Sequence, residues 1–317
     1  MKNSFDEKIL EEAHDWVKAN QKVVLATVIQ TWGSSPRQVG SRMIVNEKGD
    51  FSGSVSGGCV ESAVVRECIG LIKDKKPCKK IEFKVSNESA WEVGLACGGE
   101  LKVLIQPLQI EDKIIFTIVE SIRKREVIKL KINTKSGLRT IDKSISQQSS
   151  SFNQLMNEFI HIIDPKPRLF IIGAVHIAQE LVKLATIADF EIILIDPRDH
   201  FATKKRFPNC QIINDWPDIA LSKFKFDKAT HLVTLTHDPK IDDPALIYSL
   251  KKNIGYVGSL GSQKTHQKRC ERLSLLGFNQ NDLNKIHGPI GLDIKAKNPA
   301  EIAISILGEI IQFRRAN

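Results

Sequence analysis

Several things are scarce in this sequence. Six cysteines in 317 residues are too few for a disulfide framework. None forms a C-x-x-C pair, which argues against a zinc knuckle or a thioredoxin-type motif. No run approaches the roughly 18 apolar residues that a membrane span needs. Met1–Glu12 carries mixed charges without an apolar secretory core, so the expected compartment is cytoplasmic. Two Tyr and four Trp offer few platforms for stacked bases. No internal repeat is visible, and acidic residues are in the minority.

What is present is ordinary for a folded protein: 42% hydrophobic and 26% charged residues. The formal charge of +9 is spread along the chain. The clusters Lys73–Lys80, Arg123–Arg125 and Lys204–Arg206 read as solvated surface. An anionic small molecule or an acidic protein partner suits this balance better than nucleic acid, and the lack of an apolar span points away from a membrane. At about 150 residues per domain the length suggests two domains. Pro165-Lys166-Pro167 reads as a stiff connector, dividing the chain into 1–164 and 165–317.

In the first part, Ser4 and Glu7 form a capping box for a helix with Ile9, Ala13, Trp16 and Val17 on one face. A β-branched strand follows over Val23–Gln30, then a turn over Gly33–Arg37. A hairpin is expected from Arg42–Asn46 and Phe51–Ser56. The apolar spacing of Val60, Val64, Cys68 and Ile72 predicts a helix opening at Cys59. Strands are expected at Ile81–Val85, at Leu101–Ile105 with an end at Pro107, and at Phe159–Ile163. Residues 109–160 show no clear pattern, with Lys143–Ser151 reading as an exposed loop. This is a mixed α/β domain.

The second part alternates. Strands at Leu169–Ile172, Glu191–Ile195, Gln211–Ile213, His231–Leu235 and Ile254–Val257 enclose helical patterns such as Ile177–Ala188 and Pro244–Lys252. Alternation at this spacing implies a parallel sheet covered on both faces, a Rossmann-like α/β domain. A last helix is signalled by Asn298, Pro299 and Glu301.

Candidate chemistry lies in glycine-rich turns. Cys59 follows Gly57 and Gly58 at an expected helix start, where free amides and the helix dipole would stabilise a thiolate. The two glycines would let a ligand approach the backbone. Cys97 sits in a second such turn, followed by Gly98 and Gly99. A thiolate there could bind a transition metal, carry sulfur or act as a nucleophile. The alternative is a small residue at a crowded turn: spacing alone leaves Cys59 open between the two readings and favours the structural one for Cys97. Cys68 reads as core, and Cys78, Cys210 and Cys270 have no supporting context.

In the second part, Gly173-Ala174-Val175-His176-Ile177-Ala178 follows the first strand in the manner of G-x-G-x-x-G/A, with Val175 in place of the middle glycine. That loss argues against a dinucleotide. Asp196 ends the second strand, where an acid would hold a ribose hydroxyl or would simply precede the turn at Pro197. His237 follows the fourth strand, at the edge where ligands bind in such sheets. Gly258-Ser259-Leu260-Gly261-Ser262, with Lys264 behind it, reads as a phosphate cradle or a tight strand–helix turn.

Taken in order, Gly33-Ser34-Ser35-Pro36-Arg37, Gly53 to Glu61, Gly94 to Gly99, Tyr256 to Ser262, Lys264-Thr265-His266, Pro289 to Ile294 and Pro299 to Ala303 resemble the signature of the XdhC/CoxI family, the xanthine dehydrogenase accessory proteins. The resemblance spans both parts except roughly 110–155. The sequence departs from the family pattern at Ala96 and Val175, where glycine is usual.

The resemblance implies that the chain binds molybdenum cofactor (molybdopterin), assists its sulfuration and delivers it to an apo xanthine dehydrogenase-type molybdoenzyme. It also implies a sulfur donor such as a cysteine desulfurase. In that setting Cys59 and Cys97 are the candidate reactive thiolates, and Cys59 the candidate molybdenum contact. Arg37 is a candidate anion contact or a hairpin brace. A homodimer is compatible with the sequence, though no residue specifies one. The resemblance leans toward a maturation chaperone rather than an enzyme. The competing class is an NAD(P)-dependent oxidoreductase built on the Rossmann-like half.

Overall fold

Alternation at period two explains the first sheet. In the computed structural model, which describes residues 5–33, 37–58, 60–84, 99–109, 113–142 and 149–316, Val23–Gly33 forms β1. Its side chains divide between two cores. Val23, Leu25 and Ile29 enter one cluster, and Val24, Ala26 and Val28 the other. Around β1 lie β2 (Arg42–Asn46), β3 (Phe51–Gly53), β4 (Lys79–Lys84) and β5 (Gly99–Leu108), in the antiparallel order β3-β2-β1-β5-β4. Helix α2 (Glu61–Asp74) covers one face with Val64, Cys68 and Leu71. Burial pushes the Cys68 thiol up to about 12, which makes it inert core.

The other face packs on α1 (Phe5–Lys18) and α3 (Lys113–Arg123). A second antiparallel sheet joins the same cluster, ordered β7-β6-β9-β8 from β6 (Ile128–Asn133), β7 (Arg139–Asp142), β8 (Ser151–Asn153) and β9 (Glu158–Ile163). Strands β6, β7 and β8 with α3 fill a stretch where no pattern was expected, while β9 matches the strand expected at Phe159–Ile163. β5 also runs through Pro107 instead of stopping there. Pro107 pairs with Val24 of β1 and lies beyond the last β4 pair, Lys79 with Ile105. Strand β5 has a neighbour on one side only at that point, which is where a strand tolerates proline.

The chain divides into two compact units, Met1–Pro165 and Lys166–Asn317. The second carries six parallel strands: β10 (Arg168–Ile172), β11 (Glu191–Ile195), β12 (Gln211–Ile213), β13 (Thr230–Thr234), β14 (Tyr256–Ser259) and β15 (Ile286–His287). They are ordered β12-β11-β10-β13-β14-β15. Counted within the unit this is 3-2-1-4-5-6, the doubly wound dinucleotide-fold order. Helices α4 (His176–Ile187) and α9 (Pro299–Ala316) cover one face through Ala178, Leu181, Ala303, Ile306 and Ile310. The other face is covered by α5 (Pro217–Ser222), α6 (Pro239–Leu250) and α7 (Gln263–Leu275). The small α8 (Gln280–Leu283) leads into β15. Among the described residues no helix is long and apolar enough to cross a membrane.

Candidate functional site

In the first unit, the turn between β3 and α2 is organised by one carboxylate. Glu61 is buried at the start of α2. Its Oε1 accepts the amides of Val55, Ser56 and Gly57 at 3.2, 2.9 and 3.1 Å and the Ser54 hydroxyl at 2.7 Å. Its Oε2 accepts the Gly58 amide at 2.9 Å and the Ser56 hydroxyl at 2.6 Å. Four consecutive N–H groups converging on one point make an anion nest, and here the chain's own side chain is the anion. Such a backbone path needs residues that accept left-handed φ, and Gly57 and Gly58 take +87° and +124°. Burial alone would raise the Glu61 carboxyl. The Ser56 and Ser54 hydroxyls and the loop amides outweigh it and hold the group at about 2.

Two expectations change here. The helix does not open at Cys59: Val60 is the N-cap and α2 begins at Glu61. The amides expected to face a ligand or thiolate are instead turned onto Glu61, so Gly57 and Gly58 serve first as the pinned turn. A Cβ placed on Gly58 would meet nothing within 4 Å among the described residues. Cys59, Cys97 and Gly98 lie outside the described residues. Arg37 is half-buried, and its Nε donates to the Ser54 carbonyl at 3.1 Å, gripping the same turn from the loop between β1 and β2. Beneath, buried Arg42 donates from Nη2 to the His161 ring, 3.1 Å from Nδ1. Burial, then the Arg42 charge, drive the His161 pKa well down. Glu61 is the residue that sequence reasoning missed. It was visible inside the motif, but nothing in spacing alone reveals a buried acid facing backward.

In the second unit the order of strands reverses between β10 and β13, and two turns meet there. Gly173 has φ +102° and lies directly under the Thr236 methyl of the β13 turn, leaving no room for a Cβ. Val175 is the N-cap of α4 and packs half-buried on the core. Asp196 is fully buried at the end of β11. Its Oδ2 accepts the Ala174 amide at 2.7 Å and Arg198 Nη2 at 2.7 Å, and its Oδ1 accepts the Arg198 amide and Nε at 3.0 and 2.8 Å. Burial would raise its pKa, but the Arg198 and Ala174 bonds bring it below the ordinary carboxylate value. Its Oδ2 braces the glycine turn and both oxygens hold Arg198; of the two roles read for Asp196, ribose contact or turn residue, these bonds serve the turn.

His237 is exposed with φ +62°, and its amide donates to Asp242 Oδ2 at 3.0 Å. The expected cradle at Gly258–Ser262 proves to be half strand. Gly258 and Ser259 are buried in β14, Gly258 under Ile290 and the Ser259 hydroxyl bonded to Thr234 Oγ1. The turn proper is Leu260–Ser262, and Ser262 Oγ caps α7 by accepting the Thr265 amide at 3.1 Å. His237 and Ser262 line one cavity of about 160 Å³. Among the described residues no group of three His, Cys, Asp or Glu side chains could hold a metal ion.

These features define a class: a two-unit α/β protein with a carboxylate-pinned glycine turn in one unit and a 3-2-1-4-5-6 parallel sheet in the other. Comparison with known families agrees. Residues 16–83 match the XdhC and CoxI family, and residues 169–310 match the XdhC Rossmann domain. The chain belongs to the XdhC/CoxI family. It is 30% identical over 318 residues to a probable xanthine dehydrogenase subunit of Bacillus subtilis (strain 168), covering 93% of this chain and 94% of that one. It is 25% identical to the molybdenum cofactor insertion chaperone PaoD of Escherichia coli (strain K12), over 96% of this chain and 88% of that one. A crystal structure described as a xanthine dehydrogenase from Bacillus halodurans superposes with a TM-score of 0.81 at 26% identity, covering 100% of this chain and 97% of that one.

Proposed function

We propose that this protein is a cytosolic maturation chaperone that binds molybdenum cofactor, assists its sulfuration and delivers it to a xanthine dehydrogenase-type molybdenum hydroxylase. The observation that carries the reading is the Glu61-pinned turn. A six-donor anchor is far more than a surface loop needs to hold its shape. It makes sense if the next residue, Cys59, must be presented in one orientation. The names of the Bacillus subtilis and Escherichia coli relatives support the same reading.

In this proposal the chain's own residues do limited work. Cys59, with Cys97 as a second thiol, holds the soft metal end of the cargo. Arg37, gripping the turn, supplies positive charge to an anionic cargo. A separate donor such as a cysteine desulfurase provides the sulfur, and the acceptor is an apo-hydroxylase. The test is molybdenum and pterin analysis of protein purified without air from cells making the cofactor. Cys59→Ser should lower bound cofactor several-fold while the thermal melt stays in place. Full occupancy in that variant would overturn the thiolate role.

One observation favours a second reading: the 3-2-1-4-5-6 order is that of nicotinamide-dependent oxidoreductases. Against it stand Val175 at the turn and the engaged Asp196 carboxylate. Micromolar binding of NADH or NADPH with turnover at 340 nm would favour the oxidoreductase.

A further inference from the structure

Arg269 sits on the second turn of α7 and is 2% exposed, an unusual place for a guanidinium. Its Nη2 donates to the Leu260 carbonyl at 2.8 Å, and Nη1 lies 3.4 Å from His266 Nδ1. Its Nε–H is buried with no hydrogen-bond partner. No carboxylate among the described residues forms an ion pair with it. Asp242 lines the same cavity as Arg269, but its oxygens already accept the Thr236 hydroxyl at 2.7 Å and the His237 amide at 3.0 Å. A buried cation with an unmet donor is strongly disfavoured unless something accepts from it.

What faces Arg269 is the cavity of about 160 Å³ at the carboxyl ends of β13 and β14. That is many times the roughly 10–15 Å³ that one water requires. Its other cations are Lys264, Lys268 and Arg272. Arg272 is already held by both oxygens of Asp243, at 2.7 and 2.9 Å. Lys264 and Lys268 are exposed and have no acidic partner among the described residues. The N-terminus of α7 opens at the same place, behind its Ser262 cap.

We propose that this cavity is a phosphate-monoester site, with Arg269 as the buried receptor, Lys264 and Lys268 as charge at the mouth, and the α7 N-terminus as the backbone donor set. A planar guanidinium fork suits a phosphate, and first-turn amides point their free N–H groups at it. This is a different turn from the one after the first strand, where a dinucleotide places its pyrophosphate. Two molecules could bring such a phosphate: a pterin phosphate, if the function proposed above holds, or a nucleotide. The site itself rests on neither.

The experiment is titration of the full chain with inorganic phosphate at low ionic strength, by calorimetry or phosphorus NMR, with thermal melts as controls. Wild type should bind saturably. The exposed pair Lys264→Ser/Lys268→Ser should bind about tenfold more weakly with an unchanged melt. Arg269→Gln should show no saturable binding. Should Arg269→Gln fail to fold, the lysine pair decides alone. Absence of saturable binding by wild type, or equal affinity in the lysine variant, overturns the proposal. A nucleoside 5′-monophosphate that displaces phosphate at lower concentration assigns the bearer as a nucleotide. Loss of co-purified pterin in the lysine variant, with Cys59 intact, assigns it as the pterin. Saturable phosphate binding by a wild-type protein that holds no molybdenum or pterin when purified from cells making the cofactor would separate this site's success from the chaperone's failure.

Discussion

The turn before α2 and the turn before α7 are built from similar sequence, glycines and serines leading into a helix, yet their donors go to different places. In Ser54–Gly58 the donors run inward to Glu61, as do four bonds around Asp196 at the Gly173 turn. At Leu260–Ser262 no buried acid among the described residues collects them: the Leu260 amide goes to the Thr234 carbonyl, and the unmet N–H belongs to Arg269 of α7. A turn that satisfies itself is a rigid frame, and what it offers is the position of a neighbouring side chain. A turn beside a cavity lined by a buried cation with an unmet donor is, on the proposal above, a receptor. The distinction separates the proposed cysteine presentation in one unit from the proposed phosphate capture in the other.

The sharpest way to break that contrast is to remove the internal anion. Glu61→Ala leaves the Val55, Ser56 and Gly58 amides and two hydroxyls without their acceptor, while the Gly57 amide keeps Ser54 Oγ. At about 1–3 kcal/mol for each buried group left unmet, partly relieved by water, the first unit should lose about 3–5 kcal/mol. Urea unfolding measures the total. Hydrogen exchange localises it, because the amides of Val55, Ser56 and Gly58 should lose protection while α4 and α6 keep theirs. Protection that persists at those three amides would mean that Arg37 and the hairpin, not Glu61, shape the turn.

A pH series sharpens the same point. The folded Glu61 carboxyl titrates at about 2 against an ordinary value of 4.5. Its folded pKa is depressed, so its contribution is complete above about pH 5 and is lost as pH falls toward about 2. At 1.36 kcal/mol per unit the loss is roughly 3 kcal/mol. Stability of the first unit should fall across that window in wild type and stay nearly flat in Glu61→Gln. Parallel curves for the two proteins would remove Glu61 as the acid-labile element.

The second unit was largely legible in the sequence because buried parallel strands read as apolar runs, such as Leu169–Ile172 and Glu191–Ile195. What escaped was short or disguised. β15 is two residues long, below any periodicity. α6 begins at Pro239 and carries Pro244 inside it, so the expected start at Pro244 fell on a residue within the helix. In the first unit, α3 and β6 were readable after all. Ile115, Ile118, Val119 and Ile122 keep helical spacing, and Ile128, Leu130 and Ile132 alternate. Lys129 obscured the strand, being buried against Asp142. The site was legible as a set of glycine turns, but not in the direction of their donors. Nothing in Gly57-Gly58 or Gly173 tells whether an amide faces solvent or a carboxylate, near in the chain like Glu61 or far along it like Asp196.

The smallest expected effect tests whether the Gly173 turn is truly a frame. Val175→Gly removes a half-buried isopropyl group from the N-cap of α4, whose backbone is already extended at φ −80° and ψ 178°. Glycine is acceptable at that position, so the cost is about 1 kcal/mol of lost burial. The change restores the middle glycine of a dinucleotide fingerprint and opens space for a pyrophosphate. If the turn is a frame, NADH should still bind no better than to wild type, because the Ala174 amide and Asp196 remain committed to each other and to Arg198. Fluorescence titration with NADH reads this directly. Micromolar affinity gained by that one substitution would show that bulk at position 175 alone keeps a dinucleotide out. It would also show that the Asp196 network can open to receive one, and the Gly173 turn would then belong with the receptors.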